Sequence, residues 1–530
     1  MTQRPLGAQI SHALKARGVQ VIFGIPGVHN VEMYRGIEEA GITHVLARHE
    51  GGAAFMADGY ARATGQPGVC YTITGPGVTN ALTGLGQAYS DSVPVLCIAS
   101  CLDETSARRG QLHQMRDQRG AALSCCDWAE EARSSEAAYA LIDRAFSEFQ
   151  TARPRPKYMQ VPIALAGAVA PASRPLAQPA KRPAPSAADV AYLVTEVLSA
   201  EKPLFVFGGG ALGGAQVIGD LMRMTGAAAF MTYAGRGLVP QDAPLSFGSA
   251  LARPSSAAVC TQADLIVAFG TELAEVDLWR DALGADTRMI RVDLDAEVLG
   301  GGAPADGAIC CDAGAALQAM AIAIPARVDD RAPCWSADTV AARRADWRAE
   351  ISAERPGLVP VIDALQAAMP EDAMIYSDMT QFAYAAKEIW DMPRAGHWHH
   401  PSGFGTLGYA LPAAIGGAVA RRGAPTVAIA GDYGFQYTVQ ELGTAAELGL
   451  TLPIILWDNG KLKEIEEAMV RSQIAPNAVV AKNPDFGQLA AAYDIGYTAP
   501  QSLDDIAPAL RAALGRSGPT LIHLRSDVLI

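Results

Sequence analysis

Short runs of β-branched and other apolar residues alternate with Ala-, Leu- and Glu-rich stretches along the whole chain. These apolar runs predict buried strands at residues 19–26, 68–75, 93–100, 203–210, 263–270, 287–294, 373–379, 426–432 and 452–459. Continuous apolar strands separated by helices are typical of parallel sheets that are covered on both faces. The sequence therefore predicts an α/β protein built from doubly wound parallel sheets.

Two segments without strand patterns divide the chain. Residues 171–185 carry five prolines and no apolar periodicity, which predicts an extended linker over 171–186. A charged stretch predicts a second linker over 326–355. Three α/β domains are expected, at residues 1–170, 187–325 and 356–530, which suits a chain of 530 residues.

Composition excludes several classes of protein. Half of the residues are hydrophobic, yet no run approaches the roughly 20 apolar residues of a membrane helix. A net charge of −13 without Lys/Arg runs argues against nucleic acid or an anionic membrane as a partner. Nine cysteines without a CxxC pair, and an N-terminus without an export signal, predict a cytoplasmic protein.

The strongest chemical signal follows two strands of the third domain. One strand runs into Gly431, Asp432, Tyr433 and Gly434, and the next ends at Asn459. Ligands bind at the carboxyl ends of parallel strands, and carboxylate and amide oxygens suit Mg²⁺. Backbone N–H groups of the turn could hold an anion beside the cation. For an isolated Gly-Asp pair, an aspartate that caps a helix remains the alternative.

This arrangement resembles the Gly-Asp-Gly…Asn-Asn signature of thiamine diphosphate enzymes, including the 27-residue separation of Asp432 from Asn459. The chain departs from it at Tyr433, where the family has a small residue, and at Asp458, where it has asparagine. The resemblance implies that Mg²⁺ is bound by the Asp432 and Asn459 side chains and by the backbone carbonyl of Lys461.

The first domain carries an independent match. Residues 48–62 resemble the segment that contains the glutamate which activates thiamine, and this implies that Glu50 exchanges a proton with N1′ of the aminopyrimidine. A glutamate that opens a helix is the structural alternative. Residues 74–80 resemble the family's GPGxTN turn, in which Pro76 and Asn80 line the pyrimidine.

Further segments resemble the cofactor-binding parts of the same family. In residues 403–412, Leu407 would lie between the two rings of the cofactor and the Gly405 carbonyl would accept from its 4′-amino group. The remaining expected cofactor contacts are the diphosphate-binding residues Thr380, Gln381, Phe382, Gly431, Tyr433 and Gly434. The domain order, pyrimidine-binding, central Rossmann-like and diphosphate-binding, is that of the acetolactate synthase and 2-oxo acid decarboxylase branch.

The central domain offers only a weak nucleotide motif. Residues 208–213 fit GxGxxG after a strand, but the next strand, 227–233, does not end in the acidic residue that a ribose would need. Residues 271–277 depart from the Asp-Asp-Arg type of sequence that acetolactate synthases carry there. These departures argue against NAD and FAD.

Candidates for the reactive end of the site are His29, His113 with its neighbour Gln114, and Glu464. His113 stands near the position of an active-site glutamine in acetolactate synthases, and a histidine can also move protons. The helix after Asn459 lacks the Gln-Trp pattern of those enzymes and carries several glutamates, which could recognise a cationic substrate. The alternatives are that the two histidines only make hydrogen bonds within their loops, and that the glutamates form a solvent-exposed acidic face of the helix.

Residues 4–50 and 483–493 resemble decarboxylases of 5-guanidino-2-oxopentanoate. The resemblance implies a homodimer or homotetramer with shared active sites that decarboxylates a basic 2-oxo acid to an aldehyde and CO₂. An acetolactate synthase-like carboligase is the main alternative. A non-catalytic relative and a dinucleotide-dependent oxidoreductase are further ones, although intact Glu50, Asp432 and Asn459 argue against the former.

Overall fold

The computed structural model describes residues 3–104, 109–174, 180–283, 287–301, 305–324, 331–480 and 482–530. Three parallel sheets flanked by helices confirm the predicted α/β class, and every strand predicted above is present. In the described part of the chain, no helix is both long and apolar enough to cross a membrane.

The first domain is built on a six-stranded parallel sheet. The strands of the whole domain are β1 Arg4–Pro5, β2 Val21–Gly24, β3 Thr43–Leu46, β4 Gly68–Thr72, β5 Val95–Cys101, β6 Trp128–Glu131, β7 Lys157–Pro162 and β8 Val169–Ala170. The sheet order is β3-β2-β4-β5-β7-β6, and β1 pairs with β8 in a separate antiparallel ribbon. The helices are α1 Leu6–Ala16, α2 Val31–Tyr34, α3 Glu50–Thr64, α4 Pro76–Ser90, α5 Gln118–Leu123, α6 Ser135–Thr151 and α7 Ile163–Gly167.

The central domain has a five-stranded parallel sheet in the order β10-β9-β11-β12-β13. Its strands are β9 Pro203–Phe207, β10 Ala228–Met231, β11 Leu265–Phe269, β12 Arg288–Asp293 and β13 Gly307–Cys310. Its helices are α8 Ala187–Ser199, α9 Ala215–Thr225, α10 Ala257–Cys260, α11 Glu275–Leu278, α12 Ala296–Gly300 and α13 Ala313–Ala323, with 3₁₀ turns at Gly209–Gly214 and Pro254–Ser256.

The third domain repeats the six-stranded plan in the order β15-β14-β16-β17-β19-β18. Its strands are β14 Met374–Ser377, β15 Trp398–His399, β16 Thr426–Gly431, β17 Leu452–Asp458, β18 Gly496–Thr498 and β19 Pro519–Arg525. Its helices, counted with the one that precedes the domain, are α14 Ala337–Glu354, α15 Leu358–Ala368, α16 Gln381–Ile389, α17 Ala410–Ala420, α18 Asp432–Tyr437, α19 Leu442–Glu447, α20 Lys463–Arg471, α21 Phe486–Ala492, α22 Ile506–Gly515 and α23 Ser526–Leu529, with 3₁₀ turns at Val439–Glu441 and Leu503–Asp505.

The segments between the domains differ in structure. Helix α8 begins with a capping box, in which Ser186 and Asp189 satisfy each other's backbone N–H groups. Most of the second predicted linker is helix α14, whose Trp347 packs into the core of the central domain. Residues 175–179 and 326–330 of the two predicted linkers lie outside the described residues.

The first and third domains share one hydrophobic core, in which α3 packs antiparallel to α17. Two glycines allow the backbones to touch. A Cβ on Gly59 would overlap the carbonyl oxygen of Ala413, and one on Gly416 would overlap that of Met56. Close packing of this kind fixes the relative positions of the two domains.

We expect Gly59→Ala to force α3 away from α17 and to lower the free energy of unfolding by about 1–3 kcal/mol, as overpacking does. Chemical denaturation measures the change. Gly515→Ala is the control, because no atom lies within 4 Å of a Cβ built there. Equal stability of the two variants would contradict this account of the helix contact.

Candidate active site

The first half of the site forms where α3 and α4 begin. Glu50 is the first residue of α3 and is only 9% exposed. His49 caps the helix through Nδ1, which accepts from the N–H of Gly51 at 3.0 Å. Asn80 Nδ2 donates to Glu50 Oε2 at 2.9 Å. The structure thus brings the predicted Glu50 and Asn80 together, beside Pro76 at the start of α4.

A carboxylate of the third domain fixes the approach to Glu50. Both carboxyl oxygens of Glu441 accept from the backbone N–H of Arg48 at 3.1 Å, and Oε2 also accepts from Thr444 at 2.9 Å. A Cβ on Gly52 would overlap this carboxylate, and burial raises its pKa. Sequence reasoning missed Glu441, since it lies 393 residues from Arg48.

The second half of the site forms at the carboxyl ends of β14, β16 and β17. Asp432 begins α18 directly after β16, and Asn459 follows β17. The chain passes closely over two glycines: a Cβ on Gly431 would lie 3.1 Å from Thr380 Oγ1, and one on Gly434 2.7 Å from Asp378 Oδ2. These contacts bring the predicted residues Thr380, Gly431 and Gly434 together beside Asp432, whereas Phe382 lies in the hydrophobic core of the domain.

The loop that contains Gly405 and Leu407 docks on the same half-site. Gly408 N–H donates to Asp378 Oδ2 at 2.8 Å, and the Thr438 hydroxyl donates to the Gly408 carbonyl at 2.9 Å. Burial raises the pKa of Asp378 to about 6, against several backbone N–H groups that lower it. Thr438 lies at the end of α18, and the 3₁₀ turn Val439–Glu441 and α19 follow it.

Asn483 connects the acidic residues of this half-site. Its Nδ2 donates to Asp432 Oδ2 at 2.7 Å and to Asp458 Oδ1 at 3.0 Å. On its other side, Asp458 Oδ2 lies 2.9 Å from His523 Nε2, and His523 Nδ1 lies 3.0 Å from the Tyr497 hydroxyl. Asp458, which stands where the resembled family has asparagine, thus has a histidine partner on the neighbouring strand β19.

The pKa values of Asp432 and Asp458 are shifted in opposite directions. Burial raises the pKa of Asp432 to about 6, and the nearby Asp458 adds to this. Burial opposes ionisation of Asp458 as well, but the hydrogen bond from His523 keeps its pKa below the usual value. Asp432 is therefore a buried carboxyl group that a cation would stabilise.

The residues present fit a hard cation. The Asp432 carboxylate, the Asn459 side-chain oxygen and the backbone carbonyl of Lys461 are all oxygen donors. Asn459 Oδ1 accepts from the Lys461 N–H at 3.3 Å, which keeps this short segment folded back on itself. Beside it, Gly431 and Gly434 let Thr380 and Asp378 approach the backbone of the turn closely.

Removal of the Asp432 charge tests this electrostatic account. The folded-state pKa, about 6, exceeds the ordinary value of 3.8, so the carboxyl group costs stability that grows as pH rises through this interval. In metal-free buffer, Asp432→Asn should melt above the unchanged protein at pH 8, and the difference should narrow by pH 5. Differential scanning calorimetry measures both values.

Asp504→Asn, at an exposed position, is the control and should leave the melting temperature unchanged at both pH values. An Asp432→Asn protein that melts lower than the unchanged one at pH 8 would show that the buried charge is compensated within the chain.

His29 and His113 meet beside the predicted pyrimidine turn. Their rings are in edge contact, with centroids 4.9 Å apart, and burial together with His113 lowers the pKa of His29. His113 has a left-handed backbone, and its carbonyl oxygen would lie 2.5 Å from a Cβ on Gly75. Gln114 accepts from the N–H of Gln111 at 3.1 Å within the same loop.

Gln118 is a positioning residue that the sequence did not reveal. It is buried, and its Oε1 accepts from the N–H of Gly75 at 2.9 Å while its Nε2 donates to the Ser100 carbonyl at 2.9 Å. This bridge holds the turn that leads into Pro76. No local motif marks a single glutamine as such a bridge.

Each predicted glutamate of α20 has a cationic neighbour. Glu464 lies 3.4 Å from Arg355, Glu466 lies 3.0 Å from both Lys461 and Lys463, and Glu467 lies 3.6 Å from Lys463. No residue of this helix is fully buried. The pair formed by Glu464 joins α20 to the end of α14.

Packing explains the glycine motif of the central domain. Gly210 N–H donates to the Gly270 carbonyl at 3.0 Å, and a Cβ on Gly314 would lie 2.8 Å from the backbone of Gly213. The glycines therefore allow three backbone segments to meet closely at the carboxyl edge of the sheet.

Within one chain, the segment that follows the loop of Gly405 and Leu407 contacts α3 away from Glu50. The loop after Leu407 reaches α3 through Tyr409, whose hydroxyl donates to Asp58 at 2.6 Å. Asp58 is eight residues beyond Glu50, or about 12 Å along the helix. On the other flank of the loop, Phe404 packs against Gly86, about 9 Å along α4 from Asn80.

Both half-sites match known domains. Residues 4–121 match the thiamine pyrophosphate enzyme N-terminal TPP binding domain, 190–320 the central domain, and 378–524 the C-terminal TPP binding domain. The chain belongs to the thiamine pyrophosphate enzymes, as the sequence motifs predicted. It is an enzyme of the thiamine diphosphate-dependent 2-oxo acid decarboxylase and carboligase class.

Two relatives define the position of the chain within this family. It is 41% identical over 528 residues to the Pseudomonas aeruginosa protein named "Probable 2-ketoarginine decarboxylase AruI", covering 98% of this chain and 93% of that protein. It is 31% identical over 534 residues to the acetolactate synthase isozyme 2 large subunit of Escherichia coli, covering 99% and 96%.

Proposed function

We propose that this enzyme decarboxylates a basic 2-oxo acid, such as 5-guanidino-2-oxopentanoate, to an aldehyde and CO₂, with Mg²⁺ as the cation at Asp432. The observation that carries the substrate class is the 41% identity, over 98% of the chain, to a protein named as a 2-ketoarginine decarboxylase. The free thiols of all nine cysteines support a reducing compartment, and we place the enzyme in the cytoplasm.

The chain's own residues have distinct tasks in this reaction. When bound, thiamine diphosphate supplies a carbon nucleophile and an acceptor for the electron pair that CO₂ leaves behind. Glu50 holds and returns a proton at N1′ of the pyrimidine, and Asn80 orients its carboxyl group. Asp432 and Asn459 would hold Mg²⁺, while Asn483 fixes the Asp432 carboxylate. His29 and His113, whose rings are in contact, would move protons at the reactive end.

The proton relay at Glu50 is the step most open to test. Glu50→Gln keeps the shape and the hydrogen bond of the side chain but cannot exchange a proton, so turnover should fall by about 10²–10⁴-fold. Calorimetric titration should still show binding of thiamine diphosphate, which separates chemistry from assembly. Turnover within twofold of the unchanged enzyme would remove Glu50 from the mechanism.

We further propose that two chains share each active site, in a homodimer or homotetramer. Glu50 and the Gly405 carbonyl are both expected to contact one aminopyrimidine ring, which is only a few ångströms across. About 12 Å along α3 separates Glu50 from the residue at which Tyr409, four residues after Gly405, contacts this helix, which supports contacts supplied by two chains. A second copy, related by a twofold axis, could bring its loop to Glu50.

Mixing two inactive variants tests the shared site. A Glu50→Gln chain combined with an Asp432→Ala chain gives hybrid dimers with one intact site. If chains exchange at random, about a quarter of wild-type activity should return, because half of the dimers are hybrids. Native mass spectrometry verifies the exchange. Hybrids that form without recovered activity would favour sites built within one chain.

We propose Glu464 as the residue that recognises the cationic end of the substrate. Its contact with Arg355 is long, at 3.4 Å, whereas Glu466 is held at 3.0 Å by two lysines. A guanidinium group of the substrate could therefore take the place of Arg355. A charge-assisted pair of this kind could contribute about 10–10³-fold in preference.

A panel of 2-oxo acids, with CO₂, aldehyde and acetolactate measured together, tests the substrate class. We expect 5-guanidino-2-oxopentanoate to exceed pyruvate in kcat/KM, and Glu464→Gln to lower that ratio by about 10–10³-fold. Glu467→Gln is the matched control on the same helix. If pyruvate is the best substrate and acetolactate the main product, the enzyme is instead a carboligase.

A further inference from the structure

A pair of buried cations lies between the central and third domains, away from the cofactor half-sites. Arg236 follows β10 and is 3% exposed, while Lys387 lies on α16 and is 6% exposed. The Arg236 guanidinium stacks on the ring of Trp398 at 4.6 Å, and the Lys387 ammonium lies 3.8 Å from the ring centroid of Tyr233. Aromatic faces thus surround both charges.

Arg236 has unused hydrogen-bonding capacity. Its Nε, Nη1 and Nη2 are all buried, and none has a hydrogen-bond partner among the described residues. A guanidinium carries five N–H donors, and a buried donor without a partner is costly. Stacking on Trp398 offsets only part of the cost of removing the charge from water. A bound anion would supply the missing hydrogen-bond acceptors and would compensate the charge.

The carboxylates near the two cations are Glu388 and Asp391, beside Arg236, and Asp277, beside Lys387, and none of them makes a hydrogen bond to Arg236. Glu388 accepts from the Tyr233 hydroxyl at 3.0 Å and lies 3.5 Å from Arg253, which also pairs with Glu350 and Glu354. Burial lowers the pKa of Arg236 to about 9 and that of Lys387 to about 8, and the charge of Arg236 further lowers the latter.

We propose that Arg236 and Lys387 form a binding site for a small oxyanion, the chemistry shared by inorganic phosphate and a carboxylate. The planar fork of the guanidinium would bind two oxygens, and the ammonium would bind the remaining charge. Lys387 stands six residues after Gln381 on α16, or about 9 Å along the helix, so this site is separate from the residues expected to bind the diphosphate. A bound anion would join the central domain to the third.

The test uses the holoenzyme saturated with thiamine diphosphate and Mg²⁺, so that phosphate cannot occupy the cofactor site. Inorganic phosphate and propionate are titrated separately at constant chloride, by calorimetry and by thermal shift. We expect one saturable site per chain for at least one of them. Tighter binding of phosphate identifies a phosphate-type ligand, and tighter binding of propionate a carboxylate.

Two variants locate the binding. Arg236→Met and Lys387→Met should each raise the dissociation constant more than tenfold, while Arg394→Met, an exposed cation of the same region, should leave it unchanged. In anion-poor buffer, Arg236→Met should melt no lower than the wild-type enzyme, because it removes an uncompensated charge. A merely structural arginine would lower the melting temperature in either buffer.

If Arg236→Met does not fold, Arg236→Lys takes its place. This variant keeps the positive charge but loses the planar guanidinium group, so it too should weaken anion binding more than tenfold. The proposal is overturned if neither anion binds the wild-type holoenzyme saturably, or if binding is the same in the Arg236 and Lys387 variants.

Discussion

The antiparallel contact of α3 with α17 is the interaction on which the rest of the structure depends. Gly59 and Gly416 let the two backbones touch, and the apolar residues around them form one core for the first and third domains. Glu50 begins α3, and the loop of Gly405 and Leu407 leads into α17. The positions of Glu50 and of the loop of Gly405 and Leu407 within one chain therefore depend on how these two helices meet.

The sequence predicted the elements whose signal is local. Buried central strands such as Pro203–Phe207 are continuous apolar runs, and the pairs Glu50–Asn80 and Asp432–Asn459 sit in short motifs. Edge strands such as Thr43–Leu46 were not predicted, because they are half exposed and carry no continuous apolar run. The contact of Thr438 with the Gly408 carbonyl, thirty residues away, has no local sequence signal either.

Residues whose partners lie far away in the sequence could not be found by local reasoning. Glu441 reaches Arg48 from the other end of the chain, and Asn483 reaches Asp432 from a segment with no ligand motif. Arg236 is a further case: its sequence neighbours are ordinary, and only the fold shows that its guanidinium is enclosed. Such residues depend on long-range packing rather than on spacing.

The pairing of Asp458 with His523 limits how this part of the chain can change. Asparagine at 458 alone would leave the imidazole without its carboxylate, and loss of His523 alone would leave a half-buried negative charge near Asp432. The two positions are therefore expected to be energetically coupled, so that a change at both costs less stability than the two single changes together. Protein engineers who transplant the asparagine pair of the wider family into this scaffold should exchange both residues in one step.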